Sequence, residues 1–318
     1  MPEDAASPAR PKLLVVGSIN MDLVVRVQRR PEPGETLIGE GFVTSPGGKG
    51  ANQAVASARL GADCRMIGRV GNDDFGQTLI ENLRREGVDT EGVLMTDRVA
   101  SGVALITVDG AGENAIVVAS GANAALTPDD VFAQQDAFEW AEAVVLQLEL
   151  PLPTVRAAVD LARRCKAKVV LDPAPAPEKM CDALFNVDVI SPNVSEAEIL
   201  TDRKALEERV DKLVAADLIA RGAGSAVLKL GSRGSLVVVN DGHCYRVPSY
   251  KISVVDTTAA GDAFTAALSI SLARGEDFHQ AAKFANAAGA LACTRLGAQT
   301  AMPTAEEVQF LMADQPLG

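Results

Sequence analysis

The feature that most limits what this chain can fold into is a rhythm: short apolar runs alternate with stretches of helical periodicity along most of its length. Lys12 to Gly17 reads as a strand, Gly50 to Leu60 as a helix stopped by Gly61, Arg65 to Val70 as a strand, and Asp73 to Glu86 as a helix stopped by Gly87. The pattern continues through Ala143 to Leu148, a helix from Pro153 to Cys165, and strands at Lys168 to Leu171, Val187 to Ile190 and Ala226 to Leu230. Strands separated by helices pair in parallel, because the helix carries the chain back across the sheet. The expectation is therefore an α/β fold with a parallel sheet between helical layers. Thr127-Pro128-Asp129-Asp130 starts a further helix, with a capping residue, Pro at the first helical position and acids in the first turn. Residues 261–274 and 277–292 read as two closing helices whose Ala-rich faces pack closely.

Two stretches break the rhythm. Leu23 to Arg30 with Thr36 to Val43, and Gly102 to Val108 with Asn114 to Ala119, are β-rich and lack intervening helices. The second pair is joined by the turn-like Asp109-Gly110-Ala111-Gly112. Such strands form either a separate small sheet, a lid over the C-terminal ends of the parallel strands, or extra edge strands of the main sheet.

With 318 residues, 47% of them apolar, the chain can bury the core of one large domain, expected over 12–318 with a loose tail at 1–11. The formal net charge is −12 and the 30 Lys and Arg are scattered, which gives no basic footprint for nucleic acid and favours a small-molecule partner. Cys64, Cys165, Cys181, Cys244 and Cys293 form no C-x-x-C pair, so a disulfide framework or zinc site is not expected and a cytoplasmic setting fits. No apolar run has the length of a membrane span.

The chemistry concentrates at strand ends and helix starts. In Val255-Asp256-Thr257-Thr258-Ala259-Ala260-Gly261-Asp262, small residues open into a helix. There Ala259, Ala260 and Gly261 let a polyphosphate approach unpaired backbone N–H groups, and Asp262 can take a proton from an alcohol. The same acid also suits simple complementation of the helix dipole. Gly47-Gly48-Lys49-Gly50-Ala51-Asn52 lacks the spacing of a Walker loop; it suits either a hydroxylated ligand or a plain tight turn. Asn20-Met21-Asp22 offers an amide and a carboxylate to adjacent sugar hydroxyls, or makes an Asx turn. Glu149 follows an apolar strand directly. Asn193 and Glu196 read either as a phosphate contact with an acid that orders magnesium through water, or as a capping box. Gly231-Ser232-Arg233-Gly234 borders a nucleotide or simply connects two strands.

Taken together and in this order, these segments resemble the ribokinase-type family of carbohydrate and nucleoside kinases from about Lys12 to Pro303. GGKGANQAVASARLGA (47–62) and VVDTTAAGDAF (254–264) carry most of the likeness. The resemblance implies a ribokinase-like three-layer sandwich with a mostly parallel central sheet and a small β-sheet lid, formed by about 23–43 and 102–119. It implies ATP-dependent phosphorylation of D-ribose at O5, with kinases for deoxyribose, fructose or a nucleoside, and a non-catalytic sugar-binding protein, as alternatives. By carry-over, Asn20, Met21, Asp22, Gly48, Lys49, Gly50, Ala51, Asn52 and Glu149 hold the sugar, and Asp262 is the base beside an anion hole at Ala259, Ala260 and Gly261. Asn193, Glu196, Lys229, Leu230, Gly231, Ser232, Arg233, Gly234, Gly261 and Asn286 meet ATP and its magnesium. Potassium falls to Asp256, Thr258, Ala292, Arg295 and Gly297, with Ala301 where the family has a serine. Val194 replaces a glutamate common in the family. A homodimer through the lid strands is also implied.

Overall fold

The structure is a computed structural model and describes residues 9–110, 112–204 and 208–317. Most of the expected tail, residues 1–8, lies outside the described residues. Its last residues are anchored: Arg10 donates to the carbonyls of Gly61 and Ala62, and Pro11 is buried with its carbonyl accepting from Asp63.

The first strand explains the layering. In β1 (Lys12–Val16), Leu13 and Val15 enter one apolar cluster while Leu14 and Val16 enter another. A strand whose two faces are both apolar needs cover on both sides, which is the condition of a central parallel strand. The chain continues through β2 (Asn20–Arg26), β3 (Phe42–Gly47), α1 (Lys49–Arg59), β4 (Asp63–Gly71), α2 (Asp74–Arg85), β5 (Val88–Thr96), β6 (Gly102–Val108) and β7 (Asn114–Ala119). Next come α3 (Pro128–Phe132), α4 (Gln135–Trp140), β8 (Ala143–Leu146), α5 (Leu152–Arg164), β9 (Lys168–Leu171), β10 (Val189–Ile190), α6 (Val194–Thr201) and α7 (Glu208–Ala220). The last part holds β11 (Ser225–Lys229), β12 (Ser235–Val239), β13 (Cys244–Val247), α8 (Ala260–Ala273), α9 (Phe278–Ala292) and α10 (Ala305–Asp314).

Nine strands form the main sheet in the order β13-β12-β11-β10-β9-β8-β1-β4-β5, parallel except for the β11–β12–β13 meander. One apolar cluster packs α1, α2, α8 and α9 on one face, and the other packs α5, α6 and α7 on the opposite face. This is the expected three-layer sandwich. The α8–α9 contact is built from small side chains, with Ala263, Ala266 and Ala267 buried on one helix and Ala281, Ala285 and Ala288 on the other. The expected helix start at Thr127 carries a complete capping box with Asp130.

The β-rich segments form a second sheet, β3-β2-β6-β7, and not edge strands of the first. Two of them are displaced from their expected places. Strand β2 begins at Asn20, so Asn20-Met21-Asp22 is not an Asx turn, and its partner is Phe42–Gly47 rather than Thr36–Val43. Residues 36–41 are outside the sheet, and Ile38 is 95% exposed. Pairing from Val25 back to Asn20 carries β3 forward to Gly47, straight into α1 through Gly48. No helix among the described residues is long and apolar enough to cross a membrane.

Candidate active site

Helix α8 begins abruptly. Its cap, Ala259, has a left-handed backbone (φ 58°), a strained conformation for a residue with a Cβ, and no side chain caps the helix. The N–H groups of the first turn are therefore left without a side-chain acceptor, the arrangement that takes an anion. Two residues into this turn stands Asp262, only 3% exposed. Its carboxylate accepts from Asn52 Nδ2 (2.9 Å) and Gln53 Nε2 (3.0 Å), both on α1. Burial raises its pKa to about 6, with Lys49 opposing the shift and Asp172 adding to it.

Asp262 lines a cavity of about 900 Å³ that opens along the C-terminal ends of the strands. One wall is the start of α8, with Thr257, Ala259, Ala260 and Gly261. A second is Lys229, Leu230, Gly231, Ser232 and Gly234 after β11, and a third is Asn193 and Glu196 at the start of α6. Asn286 lines the far end, its amide held by the carbonyls of Val247 and Pro248. Lys49 also lines the cavity; burial lowers its pKa, but Asp262, Asp172, Glu149 and Glu196 outweigh that and hold it above the usual lysine range.

The expected sugar residues cluster on the other side of Asp262. Glu149 accepts from Ser18 Oγ (2.5 Å) and from the Lys49 backbone N–H (3.3 Å). Asp22 packs against Gly47, where a Cβ would come within 2.2 Å of its carboxylate. Burial, then Glu149 and Asp262, push its pKa up to about 7. Asn20 is buried and accepts from Asn123 Nδ2 (2.8 Å). Gly48 turns the chain with φ 89° between β3 and α1, and a Cβ on Gly50 would lie 2.5 Å from the backbone of Gly17.

Several expected residues present something other than a side chain to a ligand. Met21 and Ala51 are in the apolar core, and Gly50 is a close contact between α1 and the Gly17–Ser18 backbone that follows β1. Arg233 does not line the cavity; it pairs with the buried Asp211, which also receives Arg246. Asn193 and Glu196 make both contacts of a capping box while lining the cavity, so the two readings coexist. The residues expected at potassium lie beside the α8 loop. Asp256 accepts from Thr258 and from the Gly297 N–H, Arg295 pairs with Glu307, and Ala301 is fully buried with no side-chain oxygen.

The profile described as pfkB family carbohydrate kinase matches residues 10–305. The ribokinase of Haemophilus influenzae is 38% identical over 303 residues, spanning 95% of this chain and 99% of that protein. The chain belongs to the pfkB family of carbohydrate kinases. The Arabidopsis thaliana ribokinase structure complexed with ribose and ATP superposes with a TM-score of 0.88 at 30% identity, covering 96% of this chain and 99% of that one. The deoxyribokinase of Salmonella typhi is 33% identical over 296 residues, covering 93% of this chain and 96% of that protein.

Four polar residues around this kinase's cavity escaped sequence reasoning. Asp172 follows β9 directly, as Glu149 nearly follows β8, so the rule that found one acid at a strand end also reaches the other. Gln53 and Gln147 connect the strand ends to Asp262 through their amides; both lie in motif segments, Gln53 within 47–62 and Gln147 two residues before Glu149, but no role was assigned to them. Asn123, which clamps Ile19 and Asn20 from the segment after β7, is visible only in three dimensions.

Proposed function

We propose that this chain transfers the γ-phosphoryl group of ATP to the O5 hydroxyl of D-ribose, giving ribose 5-phosphate and ADP. The observation that carries the reading is Asp262: one buried carboxylate in the first turn of an uncapped helix, tied by Asn52 to the sugar side and open to the cavity on the nucleotide side.

Asn20, Asp22, Lys49, Asn52 and Glu149 bind the sugar, with Asp22 and Glu149 accepting from its hydroxyls. The triphosphate lies along Asn193, Lys229 and the turn Gly231 to Gly234, with the adenine near Asn286. Asp262 takes the O5 proton, O5 attacks the γ-phosphorus in line, and the bond to the β–γ bridging oxygen breaks with its electron pair leaving on ADP. Charge developing on the phosphoryl oxygens faces the α8 N-terminus at Gly261 and the Lys49 ammonium. Base catalysis contributes about 10²–10⁴ in rate, and the rest comes from positioning.

A magnesium ion carried in with the nucleotide would be reached by Glu196 through water. Bound there, it neutralises phosphate charge. The Asp256 carboxylate and the backbone carbonyls of Thr258, Ala292, Arg295 and Gly297 suit a monovalent cation, a weaker set than the family's because Ala301 supplies no hydroxyl. The second sheet acts as a lid over the sugar. Its apolar residues Leu105, Ile116 and Val117 are exposed, which supports a homodimer through the lid strands. A cytoplasmic location suits both substrates.

Assaying ADP release with pentoses, hexoses and nucleosides, with and without potassium, tests the reading. Ribose is expected to be the best acceptor, with potassium stimulating. Deoxyribose is the second reading, because a relative bears that specificity. A nucleoside preferred over every free sugar, or no acceptor above background hydrolysis, refutes the proposal.

A further inference from the structure

We propose that Asp172 is a positioning residue that binds the base and the nucleotide-side ammonium into one unit: through Gln53 it fixes Asp262, and by pairing with Lys229 it holds that ammonium beside the first turn of α8. This rests on the reading of Asp262 as the base of a sugar kinase. The Asp172 side chain is 2% exposed, and both its oxygens are committed. One accepts from Lys229 Nζ at 2.7 Å; the other accepts from Gln53 Nε2 at 3.0 Å and lies 3.2 Å from Thr265 Oγ1. The same Gln53 nitrogen donates to Asp262 at 3.0 Å, so one amide spans the two acids. Turning that amide over would aim its oxygen at both carboxylates, and in its present orientation Gln53 Oε1 accepts from Gln147 Nε2 at 2.6 Å. On the other side, Lys229 Nζ lies 3.5 Å from the position of a Cβ on Gly261, which places the ammonium against the anion-binding turn.

A buried ion pair contributes little net stability against an apolar pair of similar size. Its effect here is electrostatic. The Asp172 charge favours the protonated form of Asp262, which makes the ionised form a stronger base, and Lys229 offsets part of that charge. The other charged groups around Asp262 are Lys49 from α1, Asp22 from β2, Glu149 after β8 and Glu196 from α6. None of them bonds to both sides.

The two partners should therefore shift the acid limb of the kcat/KM profile in opposite directions. For the acceptor that the wild type uses best, Asp172→Asn is expected to move that limb down by about half a pH unit or more and to cut kcat about tenfold, with sugar KM nearly unchanged. Lys229→Gln, which leaves Asp172 unshielded, moves the limb up. The neutral double variant avoids a lone buried charge and so keeps the test open if either single variant folds poorly. Acting as a unit, the pair predicts that the double loses clearly less than the product of the two single losses. Limbs coincident with the wild type, or a double-variant loss equal to the product of the two single losses, overturn the inference while leaving the kinase reading intact. A wild type that phosphorylates no sugar overturns both.

Discussion

Replacing Asp262 with Asn changes one oxygen for an NH2 and almost nothing in shape, so its effect can be worked out from the contacts. Both carboxylate oxygens accept, one from Asn52 and one from Gln53. The new NH2 must face one of those donors. Gln53 is locked by Gln147, but Asn52 Oδ1 is buried without a partner, so turning the Asn52 amide presents an acceptor to the new group. One hydrogen bond is exchanged for another, and the fold loses no more than about 1 kcal/mol. The chemistry has no such substitute. Loss of the base removes about 10²–10⁴ from kcat, equivalent to about 2.7–5.4 kcal/mol of barrier. Coupled ADP-release kinetics should show that loss, and calorimetry should show ribose affinity reduced only a few-fold. The wild-type kcat/KM should rise with pH through about 6, as Asp262 ionises, and this limb should be missing in the variant. Turnover within threefold of the wild type, or an acid limb that persists unchanged, refutes the assignment of the proton to Asp262.

Other predictions address the surroundings. Asp22 has a folded-state pKa of about 7 against an ordinary 3.8, so the folded chain holds a proton that the unfolded chain has released, and stability falls as pH rises between those values. Asp22→Asn should therefore melt with the wild type at pH 4 and above it at pH 8; a gap that does not widen with pH contradicts the shift. Gly102→Ala puts a Cβ 2.2 Å from both Asn123 Nδ2 and Asn20 Oδ1, and should raise sugar KM about tenfold or more with nucleotide binding nearly unchanged, measured by steady-state kinetics. Hydrogen exchange in residues 23–43 and 102–119 should slow when ribose binds; identical exchange with and without sugar removes the lid role.

The alternation of apolar runs and helices was legible because both faces of the central strands are covered, which leaves sequences such as Leu13 to Val16 with no polar side. The start of α8 was legible because an anion site there needs small residues, and Ala259 to Asp262 are contiguous. Strand β3 was misplaced because its last residues, Ser45, Pro46 and Gly47, look like a turn, while the apolar Leu37 and Ile38 look like a strand but pair with nothing in the sheet. Strand β5 was not seen: Asp89, Glu91 and Gly92 interrupt its apolar pattern at the edge of the sheet. Arg233 was placed at the nucleotide by the family resemblance, and the position of Asp211 on α7 turns it elsewhere. Gln53 and Asn123 act across more than 90 residues, a distance no local pattern encodes.

Gly48 alone separates β3, an edge strand of the small sheet, from the helix that carries Lys49 and Asn52. Under the proposed reading most acceptor contacts therefore fall within residues 20–52, joined by Glu149 and Asp262 from farther along the chain. A cassette spanning 20–52 exchanged between related kinases would change most acceptor contacts, and it would have to keep Lys49 and Asn52, which face Asp262.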